Sequence, residues 1–146
     1  MKVAVIGAGT MGGGIAYAAA LAGCEVALTD AAAAALARSL QSVEGLLAGG
    51  LKRGKLTEAD RAGVLTRLRT EPALAAAVTA ADVIVEAIVE DLSAKQRLFA
   101  DVERHAAAGA LLATNTSSLS VGQIAAAVKE PDWIEPKKAD TLLNQQ

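Results

Sequence analysis

Val3-Ala4-Val5-Ile6-Gly7-Ala8-Gly9-Thr10-Met11-Gly12 decides the fold. Its first four residues are apolar and three of them are β-branched, which suits a strand buried on both faces of a parallel sheet. The glycines that follow keep the spacing G-x-G-x-x-G. From Thr10 to Ala22 the chain reads as a helix rich in Ala, Ile and Leu, and Gly23 ends it with a residue that accepts positive φ. Glu25-Val26-Ala27-Leu28-Thr29 is then a second strand, closing on Asp30, 18 residues after Gly12. The glycine pattern alone is common; strand, glycine turn, helix, strand and acid in that order point to a dinucleotide site.

Each part has a physical task. Gly7 permits the tight turn, Gly9 lets a pyrophosphate come against the backbone, and Gly12 lets helix and strand pack closely. Ala8, Thr10 and Met11 complete the turn, where the N–H groups and dipole of the helix start favour phosphate charge. Asp30 can accept hydrogen bonds from both hydroxyls of an adenosine ribose. A 2′-phosphate would meet that carboxylate with only Ala31 beside it, so NAD is expected over NADP.

The rest of the chain continues the alternation. Leu36, Leu40, Val43 and Leu47 put a helix over Ala32 to about Leu51, and Thr57 with Asp60 forms a capping box for another over Glu58 to Leu68. A short helix over Ala73 to Val78 precedes a strand within Val83 to Val89. Asp91 opens a helix to about Ala107, Leu111 to Thr114 is a final strand, and Ser120 with Gln123 caps a helix to Val128. Alternating strands and helices imply right-handed crossovers: an α/β, Rossmann-type doubly wound parallel sheet with helices on both faces. The pattern fails past Pro131, so the expected organisation is one cofactor domain over 1–131 and a poorly packed tail over 132–146.

Composition narrows the class. The 146 residues suit one domain; 53% are hydrophobic, and alanine accounts for 35 of them against three aromatics, Tyr17, Phe99 and Trp133. A net charge of −2 with no basic block leaves little to hold a nucleic acid. The lone Cys24 cannot close an internal disulfide, so a reducing, cytoplasmic setting is expected, and no metal-ligand spacing is present. Val3 to Cys24 carries no charge, yet Gly7, Gly9, Gly12, Gly13 and Gly14 break it up, so a buried strand and helix are expected there and not an export signal or membrane span.

Three segments also carry a family resemblance. Gly7 to Gly14 with Asp30, Val85-Glu86-Ala87-Ile88-Val89-Glu90-Asp91, and Ala113-Thr114-Asn115-Thr116-Ser117-Ser118-Leu119-Ser120 together resemble the amino-terminal half of the 3-hydroxyacyl-CoA dehydrogenases, over roughly residues 1–131. The similarity is strongest to the bacterial branch acting on 3-hydroxyadipyl-CoA in phenylacetate breakdown. It implies NAD-dependent oxidation of an L-3-hydroxyacyl-CoA to the 3-oxoacyl-CoA. It also implies Glu90 and Lys95 along the cofactor, and Asn115 and Ser117 beside the nicotinamide and the substrate oxygen. A hydroxyl and an amide just past a strand's carboxyl end can polarise a C3 oxygen gaining carbonyl character. Without the resemblance, the same turn reads equally well as a helix N-cap cluster, and Glu90 with Lys95 as an exposed charge pair. Lys52, Arg53 and Lys55 form a small basic spot that could meet a coenzyme A phosphate, Arg53 foremost, or simply be a solvated helix end.

The resemblance also has a gap. The family places a general-base histidine 21 residues past the position of Ser117, where this chain has Lys138. The resemblance further implies a helical carboxyl-terminal domain that covers the acyl chain and makes the family's homodimer, and no counterpart of it is expected within these 146 residues. His105, the only histidine, is expected on the surface near a helix end. Removing a hydroxyl proton needs a base, so this chain by itself is not expected to turn over. The alternative is a non-catalytic NAD(H)-binding module or an inert gene fragment.

Overall fold

The computed structural model describes residues 1–129. The chain alternates β1 (Lys2–Ile6), α1 (Thr10–Leu21), β2 (Glu25–Thr29), α2 (Ala33–Lys52), α3 (Glu58–Arg67), β3 (Leu68–Thr70), α4 (Leu74–Val78), β4 (Val83–Glu86), α5 (Leu92–His105), β5 (Leu111–Thr114) and α6 (Val121–Ala125). The five strands form one sheet in the order β3-β2-β1-β4-β5, every pairing parallel. The order reverses direction beside β1, between β2 and β4, and such a switch point opens a ligand crevice at the strands' carboxyl ends.

Strand alternation divides the core between the two faces. Val3, Val5, Val26 and Leu28 pack with Ala16 and Ala20 of α1, Leu36, Val43 and Leu47 of α2, and Val64 of α3. Ala4, Ile6, Ala27, Ile84 and Leu112 pack on the other side with Val78 of α4, Phe99 and Val102 of α5, and Ile124 of α6. The helices on both faces, the expected doubly wound sheet, are therefore present.

The capping box at Thr57 is complete: the Thr57 hydroxyl accepts from the Asp60 N–H at 3.1 Å, and Asp60 accepts from the Thr57 N–H at 2.8 Å. The Thr57 N–H, and then the Thr57 hydroxyl, which also donates to Asp60 Oδ2 at 2.8 Å, hold the Asp60 carboxyl below its ordinary range. Two expected boundaries are corrected, and the first is that α6 ends at Ala125 and not at Val128. The second is that Leu68 does not end α3 but starts β3, a three-residue edge strand paired to β2 in the register Val26 to Leu68. A segment that short carries no readable period; the open edge of β2 supplies the pairing. The tail from 132 and the position of Lys138 lie outside the described residues.

Candidate functional site

The glycine turn joins β1 to α1 at the sheet's carboxyl edge. Gly7 has φ 105°, and a Cβ on it would stand 2.5 Å from the carbonyl oxygen of Ala87. A Cβ on Gly12 would lie 1.7 Å from the Gly7 carbonyl oxygen, so helix and turn touch backbone to backbone. Gly9 is different: a Cβ there would meet nothing within 4 Å. The fold does not require glycine at this position, while a ligand pressed against the backbone would. Gly9 is also the N-cap of α1 and makes no side-chain cap bond, which leaves the donors of the first turn, including those of Thr10 and Met11, directed at the crevice.

Asp30 stands across the turn. Its Oδ2 accepts from the Ala8 N–H at 2.8 Å and its Oδ1 from the Ala32 N–H at 2.8 Å. Each oxygen keeps a further lone pair for an outside donor. Ala8 thus spends its N–H on Asp30, where it orients the carboxylate and, contrary to the expectation for the turn, does not point a free donor at a phosphate. Between these groups lies a cleft of about 540 Å³ lined by Gly7, Gly9, Asp30, Ala31, Ile88 and Val89 among others. An open glycine cradle, an uncapped helix start and an oriented carboxylate together fit a dinucleotide.

The other half of the site rests on a buried charge. Glu86 ends β4 with 1% of its side chain exposed, facing Lys95 of α5, which has 0%. Lys95 Nζ donates to Glu86 Oε1 and Oε2 at 2.7 and 2.8 Å. The Ile88 N–H adds a bond to Oε1 at 2.7 Å and the Thr114 hydroxyl one to Oε2 at 2.6 Å. Every lone-pair direction of that carboxylate is thereby filled by a donor. Lys95 is therefore not an exposed partner of Glu90 at a helix start. It lies beneath the cleft, 3.6 Å from Glu90 Oε1, and any influence it has on a ligand passes through Glu86 and Glu90.

Glu90 is 39% exposed at the rim. Its Oε2 accepts from the Thr116 hydroxyl at 2.9 Å and the Ser118 hydroxyl at 3.3 Å. The Thr116 bond first, then the nearby Lys95 charge, holds its carboxyl below the ordinary range. The turn after β5 is consequently sorted by parity. Thr114, Thr116 and Ser118 point down to Glu86 and Glu90, while Asn115 and Ser117 are exposed and make no side-chain hydrogen bond among the described residues. The capping duty belongs to Ser120, which accepts from the Gln123 N–H at 3.4 Å. Asn115 and Ser117 are left available for a ligand.

Two further residues stay away from the cleft. Arg53 caps the end of α2, whose 20 residues span about 30 Å from their start beside Asp30. His105 ends α5 on the surface, 43% exposed and 3.9 Å from Asp101. Among the described residues no cluster of His, Cys, Asp and Glu is arranged to hold a metal, and no helix is long and apolar enough to cross a membrane. The residue missed from the sequence is Glu86; its signal was a carboxylate inside an otherwise apolar strand, which must find a partner when buried.

Known proteins are similar to this chain in sequence and in fold. The model of the family described as "3-hydroxyacyl-CoA dehydrogenase, NAD binding domain" matches residues 2–134. A 3-hydroxyadipyl-CoA dehydrogenase of Escherichia coli (strain K12) is 43% identical over 132 residues, 90% of this chain and 28% of the relative. A fatty acid oxidation complex subunit alpha of Pseudomonas syringae pv. syringae (strain B728a) is 39% identical over 90% of this chain and 18% of its own length. The crystal structure of a 3-hydroxybutyryl-CoA dehydrogenase from Escherichia coli K12 superposes with TM-score 0.88 at 42% identity, covering 92% of this chain and 28% of that one. The chain thus spans 28% of the length of the first of these two curated relatives and 18% of the second. With the match covering almost all of it, the chain belongs to the NAD-binding domain family of the 3-hydroxyacyl-CoA dehydrogenases.

Proposed function

We propose that residues 1–131 are the cofactor-binding part of an enzyme that oxidises an L-3-hydroxyacyl-CoA to the 3-oxoacyl-CoA. The observation that carries this reading is the open face of Gly9 set between the α1 start and the Asp30 carboxylate. Bound NAD would supply the hydride acceptor. Asp30 would hold the adenosine ribose, Gly7 to Gly12 the pyrophosphate, and Glu90 with the Lys95 charge behind it the far end of the cofactor. Asn115 and Ser117 would donate hydrogen bonds to the substrate's C3 oxygen, where negative charge gathers as the hydroxyl proton leaves to a base and is spent as hydride passes to NAD and the carbonyl forms. Arg53, on the far end of α2, would reach only the phosphate end of an extended coenzyme A. The test is calorimetric titration of NADH into the chain, with Asp30→Ala beside it. Binding that weakens in the variant supports the reading; no binding by a chain that circular dichroism shows to be folded overturns it.

A further inference from the structure

We propose that Glu86 is the positioning residue of the nicotinamide half of the cleft, holding the loop Ala87–Glu90 and the turn 114–118 at one fixed spacing through its buried pair with Lys95. This rests on the dinucleotide reading above.

The placement follows from the sheet. With the adenosine ribose on Asp30 at the end of β2 and the phosphates at the start of α1, the remainder of a dinucleotide lies over the carboxyl ends of β4 and β5. Those ends are Glu86 and Thr114, which are register partners. Glu86 holds the two chains together at three points. Its side chain takes the Ile88 N–H of the loop at 2.7 Å and the Thr114 hydroxyl of the turn at 2.6 Å. Its backbone carbonyl takes the Asn115 N–H at 2.7 Å. Lys95 neutralises the carboxylate and also faces Glu90, the acceptor for Thr116 and Ser118. All the donors converging on Glu86 need an acceptor, so a neutral amide would leave at least one of them facing another donor. A carboxylate in this place costs desolvation that an apolar side chain would avoid, and the structure spends it on loop and turn spacing. The Asp30 side of the cleft shares none of these bonds.

The test compares two ligands that differ only in the nicotinamide ring, NADH and ADP-ribose, titrated into the full chain. Glu86→Gln/Lys95→Met removes both buried charges together, and Thr114→Val removes a single hydroxyl at constant shape. For the double variant, NADH affinity is expected to fall roughly tenfold with ADP-ribose within about twofold, because only one end of the ligand loses its framed contacts. Thr114→Val is expected to lower NADH affinity about threefold with the same selectivity, and it decides alone if the double variant does not fold. Equal losses for both ligands would assign Glu86 a general structural role and overturn the proposal. Unchanged NADH affinity, or a wild-type chain that binds the two ligands equally, would overturn it as well. A wild-type chain that binds neither ligand instead removes the dinucleotide reading underneath.

Discussion

The Ala8 N–H donates to Asp30 Oδ2 at 2.8 Å, so the residue between the first two glycines of the turn is what aims the carboxylate at the end of β2. Asp30→Ala removes both that acceptor and any ribose contact. The expected outcome is a loss of NADH affinity of at least about tenfold by calorimetry, the scale of one or two charge-assisted hydrogen bonds. Wild-type protein should prefer NADH over NADPH, and the variant should narrow that preference, because the carboxylate is what repels a 2′-phosphate.

The glycines should separate folding from binding. Gly12→Ala drives a methyl group onto the Gly7 carbonyl oxygen, and a loss of about 3 kcal/mol or more in chemical denaturation is expected for so hard a clash. Gly9→Ala meets open space and should stay within about 1 kcal/mol of wild type, while NADH binding is abolished. A Gly9→Ala chain that binds NADH normally would show that the cradle is not the phosphate site.

Breaking the buried pair on one side should be far more harmful than removing it whole. Lys95→Met strands the Glu86 carboxylate, 1% exposed, without its cation; a destabilisation of about 3–5 kcal/mol is expected in urea. Adding Glu86→Gln should recover most of it. A single variant as stable as wild type would mean that the pair with Lys95 is not what holds Glu86 in place.

Acid should unfold the chain along a stated course. The carboxyls of Glu90, Asp60 and Asp91 are each held below their ordinary range, by the Thr116, Thr57 and Ala94 hydrogen bonds respectively as the first cause. A carboxyl depressed in the folded state binds its proton less readily than in the unfolded state. Its contribution is therefore complete above the unfolded value and fades as pH falls toward the folded one. Denaturation midpoints contributed by these groups should be flat from neutrality to about pH 5 and decline below about pH 4. Thr116→Val should lessen the decline; an unchanged profile would remove Glu90 from the account.

Asn115→Ala and Ser117→Ala should each leave stability within about 0.5 kcal/mol of wild type, since neither side chain is hydrogen-bonded among the described residues. A loss above about 1 kcal/mol for either would mean that it holds the turn, as the alternative of a cap cluster requires.

Much of this was legible in the sequence because it depends on neighbours along the chain. Strand β1, the glycine turn and Asp30 follow from local spacing, as do the Thr57–Asp60 box and the Ser120 cap. β3 was not legible, because three residues gain strand character only from the open edge of β2. The burial of Lys95 was hidden for a related reason. A charge near a helix start is solvated by default, and only the tertiary fold brings this lysine of α5 to 2.7 Å from Glu86 at the end of β4. The Ser118 hydroxyl, in the turn that also reads as an N-cap cluster, is spent on Glu90, 28 residues away.

The alternation after β5 has a consequence for how such a site can change. Positions 114, 116 and 118 are tied to acids on a neighbouring strand and loop, whereas 115 and 117 carry no such obligation. Under the proposed function, chemistry and scaffold are thus written on separate residues of one short turn. The two exposed positions can be exchanged for other donors, acceptors or nucleophiles while the turn keeps its shape, which makes them the natural place to redirect the reaction without first rebuilding the protein.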